Sequence, residues 1–146
     1  MSHNLSYTVK TKRILNAVAA GKDEKACTEI DISGFDGVRF VALLGKTANN
    51  GKAALKVAGT PKKGDYGREQ GAKTIHQTEY VIPATDDNKT ILVDIYKPKF
   101  RYLKASVLRG TANTTIDGVI AEFYKTQNAP CEVDETISKQ AVLNGG

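Results

Sequence analysis

Residues 89–124 contain three runs rich in β-branched and aromatic side chains. Lys97-Pro98-Lys99 breaks the first from the second, and a Gly- and Asn-containing stretch breaks the second from the third. Such runs between turn residues predict consecutive antiparallel strands, here a meander at the centre of the fold. Successive side chains of a strand point to opposite faces. Ile91, Val93 and Ile95 therefore oppose Leu92, Asp94 and Tyr96, and Leu103, Ala105 and Val107 oppose Tyr102, Lys104 and Ser106. In the third run Val119, Ala121 and Phe123 oppose Ile116, Gly118, Ile120 and Glu122. Each run has one apolar face for a core and one mixed face for solvent or a partner.

The rest of the chain carries the same signals. An edge strand is predicted over residues 7–15, with a helical turn at 16–20 as the rival, because alanine favours helix. Alternation over 26–32 predicts a second strand, and Ser33-Gly34-Phe35-Asp36-Gly37 a turn into an apolar central strand at 38–44. Asn49-Asn50-Gly51-Lys52 then predicts a hairpin that returns residues 53–59 antiparallel to that strand, with Leu55 and Val57 inward. Residues 60–74 read as a long polar loop and 79–83 as a further short strand. Beyond Tyr124 the apolar residues are too sparse for a core. Residues 131–146 are expected to form an extended tail, or a short helix over 135–143 that needs a neighbour.

Seven or eight short strands in 146 residues predict an all-β, antiparallel β-sandwich, with jelly-roll connectivity as one way to close it. The expected division is a sandwich domain over 1–128 and a tail or interaction segment over 129–146. No apolar run approaches the roughly 20 residues that cross a bilayer, and the N-terminal residues lack the basic start and apolar centre of a secretory signal. The expectation is a cytoplasmic chain without a membrane partner. Cys27 and Cys131, without neighbouring His or Cys at ligand spacing, are expected to be a small hydrophobe or a surface thiol rather than a disulfide or metal ligands.

A charge of +5 and a pI near 9.2 raise the question of nucleic acid. The densest basic group, Lys97, Lys99, Arg101, Lys104 and Arg109, lacks the glycine and aromatic pattern of an RNA-binding strand. An acidic protein surface is the better expected partner. His3 and His76 have no nucleophile motif beside them, Asp86-Asp87-Asn88 lacks the alternating ligands of a calcium loop, and the glycines do not form a phosphate loop. The reading is a non-enzyme with no cofactor and no metal. A saccharide-binding sandwich ranks below other binding modules, because the chain has no Trp and its tyrosines form no obvious stacking platform in the sequence.

Residues 31–40, D-I-S-G-F-D-G-V-R-F, together with R-Y-L-K-A-S-V and I-D-G-V-I-A-E-F-Y between Tyr96 and Tyr124, resemble small structural proteins of tailed bacteriophages. The resemblance covers about residues 25–124. It implies an auxiliary head protein with a β-sandwich or jelly-roll body and no catalytic residues. Such a protein decorates or cements the major capsid protein lattice from outside, as a dimer or trimer on a virion assembled in the host cytoplasm. The chain departs from that pattern in its lysine-rich loop and acidic tail. On this reading Tyr66, Arg68, Lys97, Lys99 and Arg101 contact the shell, while Cys131, Ile137, Val142 and Leu143 reach a neighbouring copy or capsomer. A head-to-tail connector or tail component is the alternative.

Overall fold

A computed structural model describes residues 4–48, 52–64, 73–79, 88–110 and 113–143. Ten strands follow a 3-10 turn at Leu5–Tyr7. They are β1 (Lys10–Leu15), β2 (Val18–Gly21), β3 (Lys25–Ala26), β4 (Ile30–Asp31), β5 (Phe35–Thr47), β6 (Ala53–Thr60), β7 (Lys73–Gln77), β8 (Thr90–Tyr96), β9 (Tyr102–Arg109) and β10 (Thr114–Thr126). No α-helix occurs among the described residues.

The strands form two antiparallel sheets. Sheet A runs β1-β10-β5-β8, with β2 continuing β1 along the same edge of β10. Sheet B runs β3-β9-β6-β7, with β4 continuing β3 along β9. Taking each broken pair as one strand leaves eight, ordered as two nested Greek keys, which is jelly-roll connectivity. The expected β-sandwich is thus the observed fold.

The core lies between the sheets. Sheet A contributes Val38, Phe40, Leu44, Ile116, Val119 and Phe123, and sheet B contributes Leu55, Val57, Leu103, Ala105 and Val107, all buried. The inward faces expected for β8, β9 and the second half of β10 are the observed ones. Ile116 is the exception: it is fully buried although the alternation placed it outward. The register slips between Ile116 and Gly118, where Gly118 takes a φ of +153°, and this bulge changes the side on which side chains fall.

Two pairing expectations are corrected. The central meander does not form: β8 and β10 lie in sheet A, β9 lies in sheet B, and none of the three pairs with another. Their apolar faces meet across the sandwich, which buries more surface than lying side by side. Nor does β6 return along β5, since it pairs with β9 and β7 in the opposite sheet. The Asn49–Gly51 turn itself lies outside the described residues, as do Tyr80 to Pro83 of the expected strand at 79–83. Residues 16–20 make no helical turn, because Val18–Gly21 continues the edge ladder on β10. The single predicted strand over 26–32 is broken into β3 and β4, and Cys27 turns into the core while Ala26 faces out. Burial pushes the Cys27 thiol up to about 12 and leaves it un-ionised, and neither Cys27 nor Cys131 is in a disulfide.

One end of the sandwich is closed by Arg109, a buried cation. Its Nε donates to the Asp23 carbonyl at 2.7 Å, and Nη1 donates to the carbonyls of Ala19 at 2.9 Å and Thr114 at 2.8 Å. One planar fork thus ties β9 to β2, to the β2–β3 connection and to the start of β10. Removing it leaves three carbonyls without their donor, that of Thr114 in a buried position. Arg109→Ala is expected to lower unfolding free energy by about 3 kcal/mol, with Arg109→Lys between it and the parent. Urea denaturation at unchanged m-value checks this, and a loss below about 1 kcal/mol would mean that the fork is dispensable.

Candidate interaction surfaces

The opposite end of the sandwich carries a group of exposed cations, while Lys22, Lys46, Lys52 and Lys89 are exposed elsewhere. Four segments emerge there: 32–34 between β4 and β5, 61–64 after β6, 97–101 between β8 and β9, and 127–128 after β10, whose last two residues are Lys125 and Thr126. Backbone hydrogen bonds tie them together, from Lys97 N–H to the Asp36 carbonyl at 2.7 Å, Ile32 N–H to Arg101 at 3.0 Å and Gln127 N–H to Gly34 at 2.8 Å. Gly64 N–H donates to the Glu29 carboxylate at 2.7 Å. Loops fixed in this way lose little entropy on docking.

Lys62, Lys63, Lys97, Lys99, Arg101 and Lys125 are all exposed at this end. Arg101 is already engaged, because its guanidinium forks onto Asp31 with Nε–Oδ1 at 3.0 Å and Nη2–Oδ2 at 2.9 Å. The hydrogen bond from Arg101 holds the Asp31 carboxyl below its ordinary value despite partial burial, helped by the Ser33 N–H. The lysines supply the outward charge. Of the cations grouped in the sequence, Lys97, Lys99 and Arg101 share this end, Lys104 lies half-buried on sheet B, and Arg109 closes the other end. Lys62 and Lys63 join the cluster because Thr60 is in register with Tyr102, which sequence spacing does not show. Tyr66 and Arg68 lie outside the described residues.

The tail returns along β1. Cys131 N–H donates to the Tyr7 carbonyl at 3.0 Å, the Thr136 hydroxyl accepts from Arg13 N–H at 2.9 Å, and Asn4 Nδ2 donates to the Leu143 carbonyl at 3.1 Å. Ile137 is half-buried in a groove with Thr11, Arg13, Ile120 and Lys139. Cys131 is also half-buried, whereas Val142 and Leu143 are 46% and 77% exposed. The extended form is the observed one, and its segment 131–137 lies against its own domain.

Asp134 organises this docking. It accepts from the Thr136 N–H at 2.9 Å and hydroxyl at 2.8 Å, with Lys10 Nζ 3.7 Å away. Burial pushes its carboxyl up, but the Thr136 hydrogen bonds with Lys12 and Lys10 outweigh that and leave it below the ordinary value.

On the outer face of sheet A, a feature missed in the sequence joins three strands. Tyr124 of β10, Gly37 of β5 and Tyr96 of β8 are in register. Tyr124 lies across Gly37, where a Cβ would stand 2.2 Å from its ring, and donates its hydroxyl to Asp94 at 2.6 Å. Partial burial, then this bond, pushes the phenol up to about 12. The Tyr96 ring lies 6.5 Å away and within 10° of parallel. Along the next row Arg39 Nε donates to Glu122 at 2.8 Å, between Glu122 and Asp94 in the ladder. A groove of about 330 Å³ bounded by Leu5, Val9, Arg39, Asp94, Glu122 and Tyr124 lies beside the Tyr124 ring.

No group of three or more His, Cys, Asp or Glu among the described residues could hold a metal ion, and no described helix is long and apolar enough to cross a membrane. No family model and no curated protein matches the chain. Among solved structures, it is similar to one titled "Bacillus endospore appendages form a novel family of disulfide-linked pili", at 12% identity and a TM-score of 0.46, covering 87% of this chain and 98% of that one. A likeness that distant carries no argument about function.

The Asp134 geometry has a pH consequence. A carboxyl lowered by folding contributes stability that is present above its unfolded value near 4 and is lost as pH falls through the folded value. Amides 134–137 are therefore expected to lose hydrogen-exchange protection below about pH 4, and Asp134→Asn to speed their exchange roughly fivefold at about pH 6, for about 1 kcal/mol. Equal protection at both pH values, corrected for intrinsic rates, would show that Asp134 does not hold the tail.

Proposed function

We propose that this chain is a structural virion protein that binds the outside of a tailed-phage capsid and decorates or cements the major capsid protein lattice. The observation that carries the reading is the pinned basic end, where Lys62, Lys63, Lys97 and Lys99 stand exposed on loops already fixed by hydrogen bonds. Such a surface suits an acidic protein lattice, because charge steers the approach and fixed loops keep the ordering cost small. The resemblance of residues 31–40 and 96–124 to phage head proteins points the same way.

The tail supplies the second contact in this reading. Strapped to β1 through Thr136 and tied again at the Leu143 carbonyl by Asn4, it offers the exposed side chains of Val142 and Leu143 to a neighbouring copy or capsomer. Contacts of this size are individually weak and gain strength from symmetric repetition.

The test is binding of the purified protein to heads that lack it, measured across a salt series. Lys97→Glu with Lys99→Glu is expected to weaken binding at low salt by about tenfold or more and to flatten its salt dependence. Unchanged affinity and salt slope would remove these lysines from the interface and with them the observation on which the reading rests.

A further inference from the structure

The Tyr96–Tyr124 face is built more closely than a solvated sheet surface requires. Gly37 leaves the space that lets the Tyr124 ring lie flat across β5, and the Tyr124 hydroxyl is fixed on Asp94. Both tyrosines are followed at once by a lysine in left-handed backbone, Lys97 at φ +50° and Lys125 at φ +54°. A side chain in that region is strained and persists only where the surroundings hold it. Tyr96 ends β8 and Tyr124 stands two residues before the end of β10, with the two rings nearly parallel. Tyr96 remains 53% exposed.

Beside the Tyr124 ring stand Arg39, forked onto Glu122, and Asp94, which accepts from Tyr124, in a groove walled by Leu5 and Val9; Asp94 also lies next to Tyr96 in a second groove on this face. Flat aromatic surface beside paired planar polar groups matches a molecule with one apolar C–H face and adjacent hydroxyls around its rim. The ring face favours polarised C–H groups, and a carboxylate or guanidinium reaches two neighbouring hydroxyls at once. We infer that this face binds a saccharide, with a pyranose ring laid on Tyr96 and its hydroxyls held by Asp94, Arg39 and Glu122. Lys97 Nζ, 5.4 Å from the centre of the Tyr96 ring, adds a positive charge for an acidic sugar. The inference shares Lys97 with the capsid reading, whereas Lys62, Lys63 and Lys99 take no part in it.

The experiment is an amide chemical-shift titration of the full chain with maltoheptaose, cellohexaose, chitohexaose and trigalacturonate, each to about 10 mM. At least one is expected to shift Gly37, Arg39, the amides of 94–97 and those of 122–125. Tyr96→Ala, at an exposed position, weakens that binding by about tenfold or more, and Lys62→Glu with Lys63→Glu leaves it unchanged. No shift with any of the four sugars overturns the proposal, as does binding that Tyr96→Ala leaves intact. Shifts of the same amides on dilution, with no sugar effect, would assign the face to a second copy of the chain and overturn it equally.

Discussion

The ladder between β5 and β10 is the constraint from which the rest follows. It pairs two 13-residue strands from Thr114 opposite Thr47 to Thr126 opposite Phe35. All of sheet A depends on it, because β1 and β2 hang on the free edge of β10 and β8 on the free edge of β5. Its inward residues, Val38, Phe40, Leu44, Ile116, Val119 and Phe123, supply most of the sheet's share of the core. These partners are some 80 residues apart in sequence, so pairing them brings the whole chain between them into two layers. Ladders closed over that distance form slowly and are held by the burial they create rather than by local preference.

Both surfaces of functional interest are consequences of where that ladder stops. At its Phe35–Thr126 end the chain crosses between the sheets at 32–34, without lysine, and at 97–101, with Lys97 and Lys99. Arg101 is drawn inward by Asp31, which ties β4 to the β8–β9 connection and leaves the neighbouring lysines to face outward. Its exposed pair with Asp31 contributes about 1 kcal/mol at most, so its main effect is on loop position rather than stability. One row further in, the same ladder sets Tyr124 beside Gly37, and β8 adds Tyr96. The buried Arg109 closes the other end with neutral carbonyls and presents no charge outward.

Much of the fold was legible in the residues, but the unit of legibility was the strand and not the sheet. An apolar run marked β5 as a central strand, and alternation placed the inner faces of β8, β9 and most of β10 correctly. It failed at β7, whose Lys73, Thr74, His76 and Gln77 surround a single aliphatic residue, Ile75, and which is held by pairing with β6 alone. Pairing was illegible because a short connection is compatible with a hairpin and with a crossing between sheets, and only the summed burial decides. The basic end was half legible: Lys97, Lys99 and Arg101 are close in sequence, whereas Lys62 and Lys63 arrive through the β6–β9 register. The tyrosine pair had a faint signal in the repeated Tyr-Lys steps at Tyr96 and Tyr124, but its meaning depends on Gly37 lying between them.

The account is tested most directly by counting copies. The purified protein is sedimented with tailed-phage heads that lack it, and bound copies per pelleted particle are determined. A protein that repeats with the lattice is expected at hundreds of copies per head. About a dozen copies or fewer would place it at a unique vertex as a connector or tail part, and no bound protein would contradict the capsid assignment.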